Sequence, residues 1–203
     1  SAGSVIDAVD LVMEGEIESI FCKTRPPGHH ATKDKSMGFC FFNNIAIASL
    51  YARDKYKLKR IFILDFDVHH GNGTEDILKG KKGLFFCSIF EYPLYPMLGV
   101  GKTNKNILNI PIKPNTESEE FRKIFTDTIL PSIEKFNTDL IFVSAGFDAH
   151  KEDPLSSIRL SKDDYGWIAE KLSKSKRVIS VLEGGYNIPY LCESVKSYID
   201  GFK

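Results

Sequence analysis

The sequence predicts a single α/β domain of three layers, in which helices cover both faces of a mostly parallel central sheet. Three observations indicate this fold class. Short apolar runs of strand length alternate with segments of helix length along all 203 residues. Some of these runs, such as residues 61–64 and 140–143, are continuously hydrophobic, which is typical of central strands buried on both faces. No internal repeat, low-complexity tract or long linker divides the chain.

The apolar runs predict six strands, and apolar residues at helical spacing predict six helices. In the longest helix we expect Pro131 to kink or end the helix, because proline has no backbone N–H. Ser161 and Asp164 form the pattern of a capping box at the start of the next helix. In chain order the elements are helix 5–14, strand 19–23, helix 43–53, strand 60–66, helix 74–79, strands 84–89 and 107–110, helix 118–136, strand 139–144, helix 162–173, strand 177–182 and helix 188–198.

The overall composition excludes several classes of partner. Lys and Arg number 27 and are balanced by 27 Asp and Glu, so the chain offers no net positive charge to a nucleic-acid backbone. No apolar run approaches the roughly 18–20 residues of a membrane span, and the first residues lack the order of a signal peptide. The four cysteines are far apart without a C-x-x-C pair, which favours a reducing environment. We therefore expect an intracellular protein without nucleic-acid or membrane partners, in either the cytoplasm or the nucleus.

The histidines are concentrated in segments that also hold glycines and carboxylates. Each segment follows a predicted strand, and ligands of open α/β sheets gather at the carboxyl ends of the strands. We therefore expect the segments to meet in one crevice. All five histidines lie in Pro26-Pro27-Gly28-His29-His30, Asp65-Phe66-Asp67-Val68-His69-His70-Gly71-Asn72 and Gly146-Phe147-Asp148-Ala149-His150.

The second of these segments has the spacing of a metal site. Asp65, Asp67 and His69 recur at period two, so a strand running through them would point the three side chains the same way. Two buried carboxylates are costly without a cation. With Asp148 added, the oxygen and nitrogen ligands resemble those of a catalytic zinc. Taken alone, the D-x-D-x-H pattern also fits a surface turn, and a His-His pair also fits a packed or solvated feature.

Three further motifs complete the pattern: Gly38-Phe39-Cys40-Phe41-Phe42-Asn43-Asn44, Asp153-Pro154-Leu155 and Leu182-Glu183-Gly184-Gly185-Tyr186. Together with the histidine segments, these motifs resemble the histone deacetylase family, which has the arginase–deacetylase fold. The Pro-Pro-Gly-His-His form and Asn72 are similar to its class II and bacterial deacetylase-like amidohydrolase branch. The resemblance spans residues 1–203, which are expected to form one catalytic domain that is N-terminally incomplete. An oligomer or a partner is then expected to cover the exposed edge at strand 19–23.

The resemblance also implies a role for each site residue. Asp67, His69 and Asp148 would bind zinc, while Tyr186 would donate a hydrogen bond to the oxyanion of the tetrahedral intermediate. His29 and His30 would be the tandem catalytic histidines beside the metal. By the same resemblance, Asp65 would orient His29 and Asn72 would orient His30. An apolar channel would be lined by Gly38, Phe39 and Tyr95, with Leu155 at its mouth. A monovalent cation, expected to be potassium, would be held by Asp65 and Ser88.

The function implied by the resemblance is zinc-dependent hydrolysis of N-acetyl-lysine amides, or of a related small N-acyl amine, with release of acetate. The expected partners are accordingly an acetylated protein or peptide, or a small acetylated amine. Two alternatives stay open. One is a ureohydrolase-like relative of arginase, whose chemistry needs two manganese ions, and the other is an inactive module that binds acyl-lysine or serves as a scaffold.

Overall fold

The computed structural model describes residues 1–101, 104–175 and 177–203, and its central feature is a six-stranded sheet. The strands are β1 (Ser19–Cys22), β2 (Ile61–Asp65), β3 (Leu84–Glu91), β4 (Ile107–Ile112), β5 (Leu140–Ala145) and β6 (Val178–Leu182). The helices are α1 (Ala2–Met13), α2 (Asn44–Tyr56), α3 (Asn72–Leu78), α4 (Ser118–Ile124), α5 (Leu130–Phe136), α6 (Lys162–Leu172) and α7 (Ile188–Asp200). The structure thus confirms the alternating α/β pattern.

Every strand pair of the sheet is parallel, in the order β1-β6-β5-β2-β3-β4. The continuously apolar strands β2 and β5 are fully buried and lie side by side in the middle of the sheet, as predicted. β1 lies at one edge, where most of its residues are only half-buried. Because all strands run the same way, their carboxyl ends lie along one edge of the sheet, where the histidine segments follow.

Helices cover the sheet on both faces, which confirms the three-layer domain. Alternate residues of β2 point to opposite faces, so Ile61 and Ile63 pack in one core while Phe62 and Leu64 pack in the other. The first core also holds the apolar residues of α1 and α2, and the second those of α4 to α7. None of the helices in the described ranges is long and apolar enough to cross a membrane.

The helix predicted over residues 118–136 is interrupted. A π-helical turn over Phe125–Ile129 separates α4 from α5, and Pro131 lies in the first turn of α5. Proline has no N–H to donate to the preceding turn, so the wider turn lies where a regular α-helical bond is missing. The Ser132 hydroxyl donates to the Thr128 carbonyl oxygen at 2.7 Å and satisfies one of the acceptors there. The proline therefore reshapes the helix without ending it.

Candidate active site

The segment after β2 leaves the sheet earlier than its sequence predicts. Asp65 is the last residue of β2, close to the predicted strand end at residue 66, and Asp67 and His69 lie in the loop beyond it, so the strand geometry that was expected to align the three side chains is wrong. In this loop, backbone N–H groups bond to carboxylates. The amide of Asp67 donates to Asp65 Oδ1 at 3.1 Å, that of Val68 to Asp148 Oδ1 at 3.0 Å, and that of His69 to Asp67 Oδ1 at 2.9 Å. The carboxylates of Asp65, Asp67 and Asp148 therefore fix the backbone of this loop.

Asp67, His69 and Asp148 form a buried cluster of possible metal ligands. One donor atom from each residue lies within 4.8 Å of the other two. His69 Nδ1 lies 3.0 Å from Asp67 Oδ1 and 3.1 Å from Asp148 Oδ2. Both carboxylates are inaccessible to solvent and His69 is nearly so. The cluster therefore presents oxygen, nitrogen and oxygen donors to one point, a set that suits zinc.

Backbone amides fix the two carboxylates of this cluster. The amide of Gly184 donates to Asp67 Oδ2 at 2.8 Å, while Asp148 Oδ1 accepts from the Val68 amide. A Cβ on Gly184 would collide with the carboxylates of both Asp67 and Asp148, so only glycine permits this close approach. The strand end of β6 thereby holds the loop after β2 in place.

The charges of the cluster favour a positive ion between the carboxylates. Burial alone would lower the pKa of His69, but its hydrogen bonds to Asp148 and Asp67 raise that pKa to about 11. Burial and the charge of Asp67 raise the pKa of Asp148 to about 6. Two carboxylates so close together need a cation, which is either a proton on His69 or a metal ion. The buried donor set fits a divalent metal.

The tandem histidines lie beside this cluster with different partners. His29 Nδ1 is 3.0 Å from Asp65 Oδ2, and His30 Nδ1 is 2.8 Å from Asn72 Oδ1. The two imidazole ring centres are 4.0 Å apart, and the His30 ring centre lies 6.0 Å from that of His69. The structure thus brings together the predicted pairs His29–Asp65 and His30–Asn72 at the metal cluster.

The different partners give the two histidines different protonation states. Burial lowers the pKa of His29, but the charges of Asp67 and Asp65 outweigh it and raise the pKa to about 10. Burial and the charge of His29 lower the pKa of His30 to about 3. The amide oxygen of Asn72 accepts a hydrogen bond, so the hydrogen-bond network assigns a proton to His30 Nδ1. His30 Nε2 is then free to accept a proton at neutral pH.

Three of the predicted channel residues lie against other predicted site residues. The Tyr95 ring packs edge-on against His30 at 5.0 Å between centres, and the Phe39 ring lies 6.3 Å from that of Tyr186. Gly38 has a φ of 56°, and a Cβ there would collide with the His30 ring. Leu155 is exposed in the loop between β5 and α6. A cavity of about 560 Å³ adjoins the channel and is lined by Arg25, Pro26, Pro27, Phe39 and Tyr186.

Ser88 and Asp65 are neighbours in adjacent strands, at matching positions of β3 and β2. Both are inaccessible to solvent. The Ser88 hydroxyl is buried without a hydrogen-bond partner among the described residues. Buried hydroxyls are normally satisfied, so an orphaned oxygen beside a carboxylate fits a site for an oxygen-seeking cation.

Sequence reasoning gave no role to Glu183, which lies directly behind the tandem histidines. Its Oε2 accepts from the amides of Gly28 at 2.7 Å and His29 at 3.2 Å, and its Oε1 accepts from the Ser144 hydroxyl at 3.2 Å. Burial raises the pKa of Glu183 to about 7 against the opposing charge of His29. The sequence signal for Glu183 is a carboxylate at the end of a buried strand. Its partner Gly28 lies 155 residues away in the sequence, so that signal does not reveal what Glu183 contacts.

Comparison with known proteins agrees with this geometry. A family model described as the histone deacetylase domain matches residues 1–202. An uncharacterized protein of Synechocystis sp., slr0245, is 42% identical over 194 residues, which are 94% of this chain and 64% of that protein. The histone deacetylase-like amidohydrolase of Pseudomonas aeruginosa is 34% identical over 204 residues, covering 94% of this chain and 54% of that protein.

The fold is also similar to a solved structure. The crystal structure of the HDA15 HD domain superimposes with a TM-score of 0.93 at 31% sequence identity, covering 98% of this chain and 59% of that one. The chain therefore spans less than two thirds of the length of each of these relatives.

Proposed function

The chain belongs to the histone deacetylase family, and from this premise we propose that it catalyses zinc-dependent hydrolysis of N-acetyl-lysine amides in proteins or peptides, or of a related small N-acyl amine. The products are acetate and a free amine. The observation that carries this proposal is the convergence of Asp67, His69 and Asp148 beside a neutral His30. The proposal is supported by the matching family model over residues 1–202.

In the proposed reaction Asp67, His69 and Asp148 hold the zinc ion. When bound, zinc polarises an amide carbonyl and lowers the pKa of water from about 15.7 toward about 7. Two carboxylate ligands offset most of the charge of the dication. The protein must therefore supply further hydrogen-bond donors and a proton acceptor at the reacting atoms.

The tandem histidines divide the proton transfer in this proposal. His30 Nε2 accepts a proton from the attacking water, because the low pKa of His30 keeps this nitrogen unprotonated. The same group then returns the proton to the nitrogen of the leaving amine. His29, oriented by its hydrogen bond with Asp65, would stabilise the negative charge that develops on the oxygen atoms of the tetrahedral intermediate. Asn72 keeps His30 in the tautomer that the reaction requires.

Tyr186 completes the proposed site as donor to the oxyanion. Burial and the charges of Asp67 and Asp148 raise the pKa of its hydroxyl, which therefore keeps its proton. The exposed rings of Phe39 and Tyr95 are suited to hold the apolar stem of an acyl-lysine. Asp65 and Ser88 are proposed to hold a potassium ion below the site, because the Ser88 oxygen has no other partner in the described ranges.

A turnover assay tests the proposal. The wild-type chain is loaded with zinc and incubated with a fluorogenic acetyl-lysine peptide, with and without a chelator. We expect turnover that the chelator abolishes and added zinc restores. If the zinc-loaded chain binds the peptide but does not cleave it, it is an inactive acyl-lysine binding module and the proposed reaction is wrong.

A further inference from the structure

A single buried carboxylate connects the proposed oxyanion donor with the channel mouth. Asp153 lies in the loop between β5 and α6 and is 7% exposed. Its Oδ2 accepts from the Tyr186 amide at 2.7 Å, and its Oδ1 accepts from the Leu155 amide at 3.0 Å. Both oxygens of the carboxylate are thus bonded to the backbone of a residue with a proposed role.

We propose that Asp153 is the positioning residue that fixes Tyr186 over the reacting carbonyl and Leu155 at the mouth of the channel. This inference rests on the proposed function, because the placement of Tyr186 matters for turnover only if its hydroxyl donates to an oxyanion. Among the described residues, the Asp153 side chain forms no hydrogen bond to Asp67, His69 or Asp148, and its two hydrogen bonds go to the Tyr186 and Leu155 amides. Its negative charge also contributes to the raised pKa of the Tyr186 hydroxyl.

The backbone around Tyr186 needs such an anchor. Tyr186 follows Gly185, whose φ of 131° lies in a region that only glycine adopts readily. The helix α7 begins only at Ile188, so Tyr186 lies between a flexible glycine and the first helical turn. The Tyr186 hydroxyl has no hydrogen-bond partner among the residues described, so its position depends on its backbone and on ring packing with Phe39.

The chemistry of Asp153 suits this anchoring role. A hydrogen bond from an amide to an ionised carboxylate is about twice as strong as one between neutral groups. A second bond ties the same two loops, since Asn187 Nδ2 donates to the Glu152 carbonyl oxygen at 2.8 Å. That bond lies at an exposed position, whereas the bond from the Tyr186 amide to Asp153 is partly buried and its acceptor side chain is buried. The carboxylate is therefore the stronger constraint on the tyrosine.

The expected effect follows from the tolerance of catalysis for misplaced groups. A displacement of about 1 Å can cost on the order of 100-fold in rate. We expect Asp153→Ala to lower kcat by about 10- to 100-fold. Asp153→Asn keeps one carbonyl oxygen as acceptor for one amide but places its NH₂ donor against the other N–H, so it should also lower kcat. Loosening Leu155 should raise KM in both variants.

The decisive test is a double-mutant cycle with Tyr186→Phe. In that background there is no hydroxyl to position, so Asp153→Ala should cost less than about threefold further in kcat, while its effect on KM persists. A residue that supports only the general fold lowers kcat by the same factor in both backgrounds, and that result overturns the inference. Glu152→Gln is the matched control, because it removes a neighbouring exposed charge whose side chain makes no hydrogen bond to the described residues.

Hydrogen exchange gives a readout that does not depend on turnover. We expect both the Tyr186 and Leu155 amides to exchange at least about tenfold faster in Asp153→Ala than in the wild type, and at least one of them in Asp153→Asn, with unchanged circular dichroism. Unchanged exchange at both amides refutes the anchoring. A zinc-loaded wild type without turnover refutes the proposed function and the inference together, whereas an active wild type with an unaffected Asp153→Ala refutes only the inference.

Discussion

Replacing Tyr186 with phenylalanine removes one hydroxyl and keeps the volume of the ring. The side chain is only partly buried, and its hydroxyl bonds to none of the described residues. The substitution therefore leaves no buried partner unsatisfied. We expect the free energy of unfolding to change by less than about 0.5 kcal/mol, as for an ordinary substitution away from the core.

The effect of Tyr186→Phe on turnover should be large. The raised pKa of the hydroxyl keeps it protonated throughout the neutral range, so it can serve as a donor to the oxyanion. One preorganised donor of this kind contributes about 2.7–4 kcal/mol, which corresponds to a loss of about 10²–10³ in kcat. Because the two carboxylates of the cluster offset the charge of a bound dication, this donor is not redundant.

Steady-state kinetics with an acetyl-lysine peptide measure this loss. We expect kcat to fall and KM to change little, since the hydroxyl acts on the transition state and not on the ground state. The zinc content and thermal unfolding of the variant should match those of the wild type. A variant with more than about a third of wild-type kcat refutes the oxyanion role of Tyr186.

Three other predictions concern the remaining site residues. His30→Ala should lower kcat by about 10²–10⁴-fold while the zinc content stays unchanged, because His30 accepts a proton and is not a ligand; full activity in this variant contradicts the role. Ser88→Ala should weaken the activation of turnover by potassium. The assay measures the rate at increasing KCl concentration, with the ionic strength held constant by the salt of a larger cation, and an unchanged potassium response contradicts the proposed site. Leu155 offers no counter-charge to the second ammonium group of an acetylpolyamine, so kcat/KM should be higher for acetyl-lysine peptides than for N-acetylspermidine or N-acetylputrescine. Leu155→Glu should narrow or invert this difference. Faster turnover of the acetylpolyamines by the wild type contradicts the substrate preference.

The sequence was sufficient to predict the sheet because its central strands are unambiguous. Residues 61–64 and 140–143 are apolar at every position, and such runs are stable only when both faces are covered. The structure places these runs in β2 and β5 at the centre of a wholly parallel sheet. The motifs at the strand ends then converge because all carboxyl ends lie along one edge.

Local sequence patterns gave a wrong prediction where side chains, and not a neighbouring strand, accept the hydrogen bonds of the backbone N–H groups. The period-two spacing of Asp65, Asp67 and His69 aligns the three side chains only on an extended strand, but the chain leaves the sheet after Asp65. The Phe66 amide still bonds to Ser144 of β5, whereas the amides of Asp67, Val68 and His69 bond to carboxylates. Glu183 and Asp153 lie in recognised motifs, but no role was predicted for either, for a related reason. Their partners Gly28 and Tyr186 are 155 and 33 residues away, and no local pattern reveals contacts of that separation.

The zinc content of the purified chain tests the central claim most directly, because every proposed step depends on the cluster of Asp67, His69 and Asp148. After reconstitution with zinc and removal of excess metal, elemental analysis should find about one zinc per wild-type chain and a much lower content in Asp148→Ala. Asp163→Ala, which removes an exposed acid at the start of α6, should retain the metal. Less than about a quarter of an equivalent in the wild type, or an unchanged content in Asp148→Ala, contradicts the account.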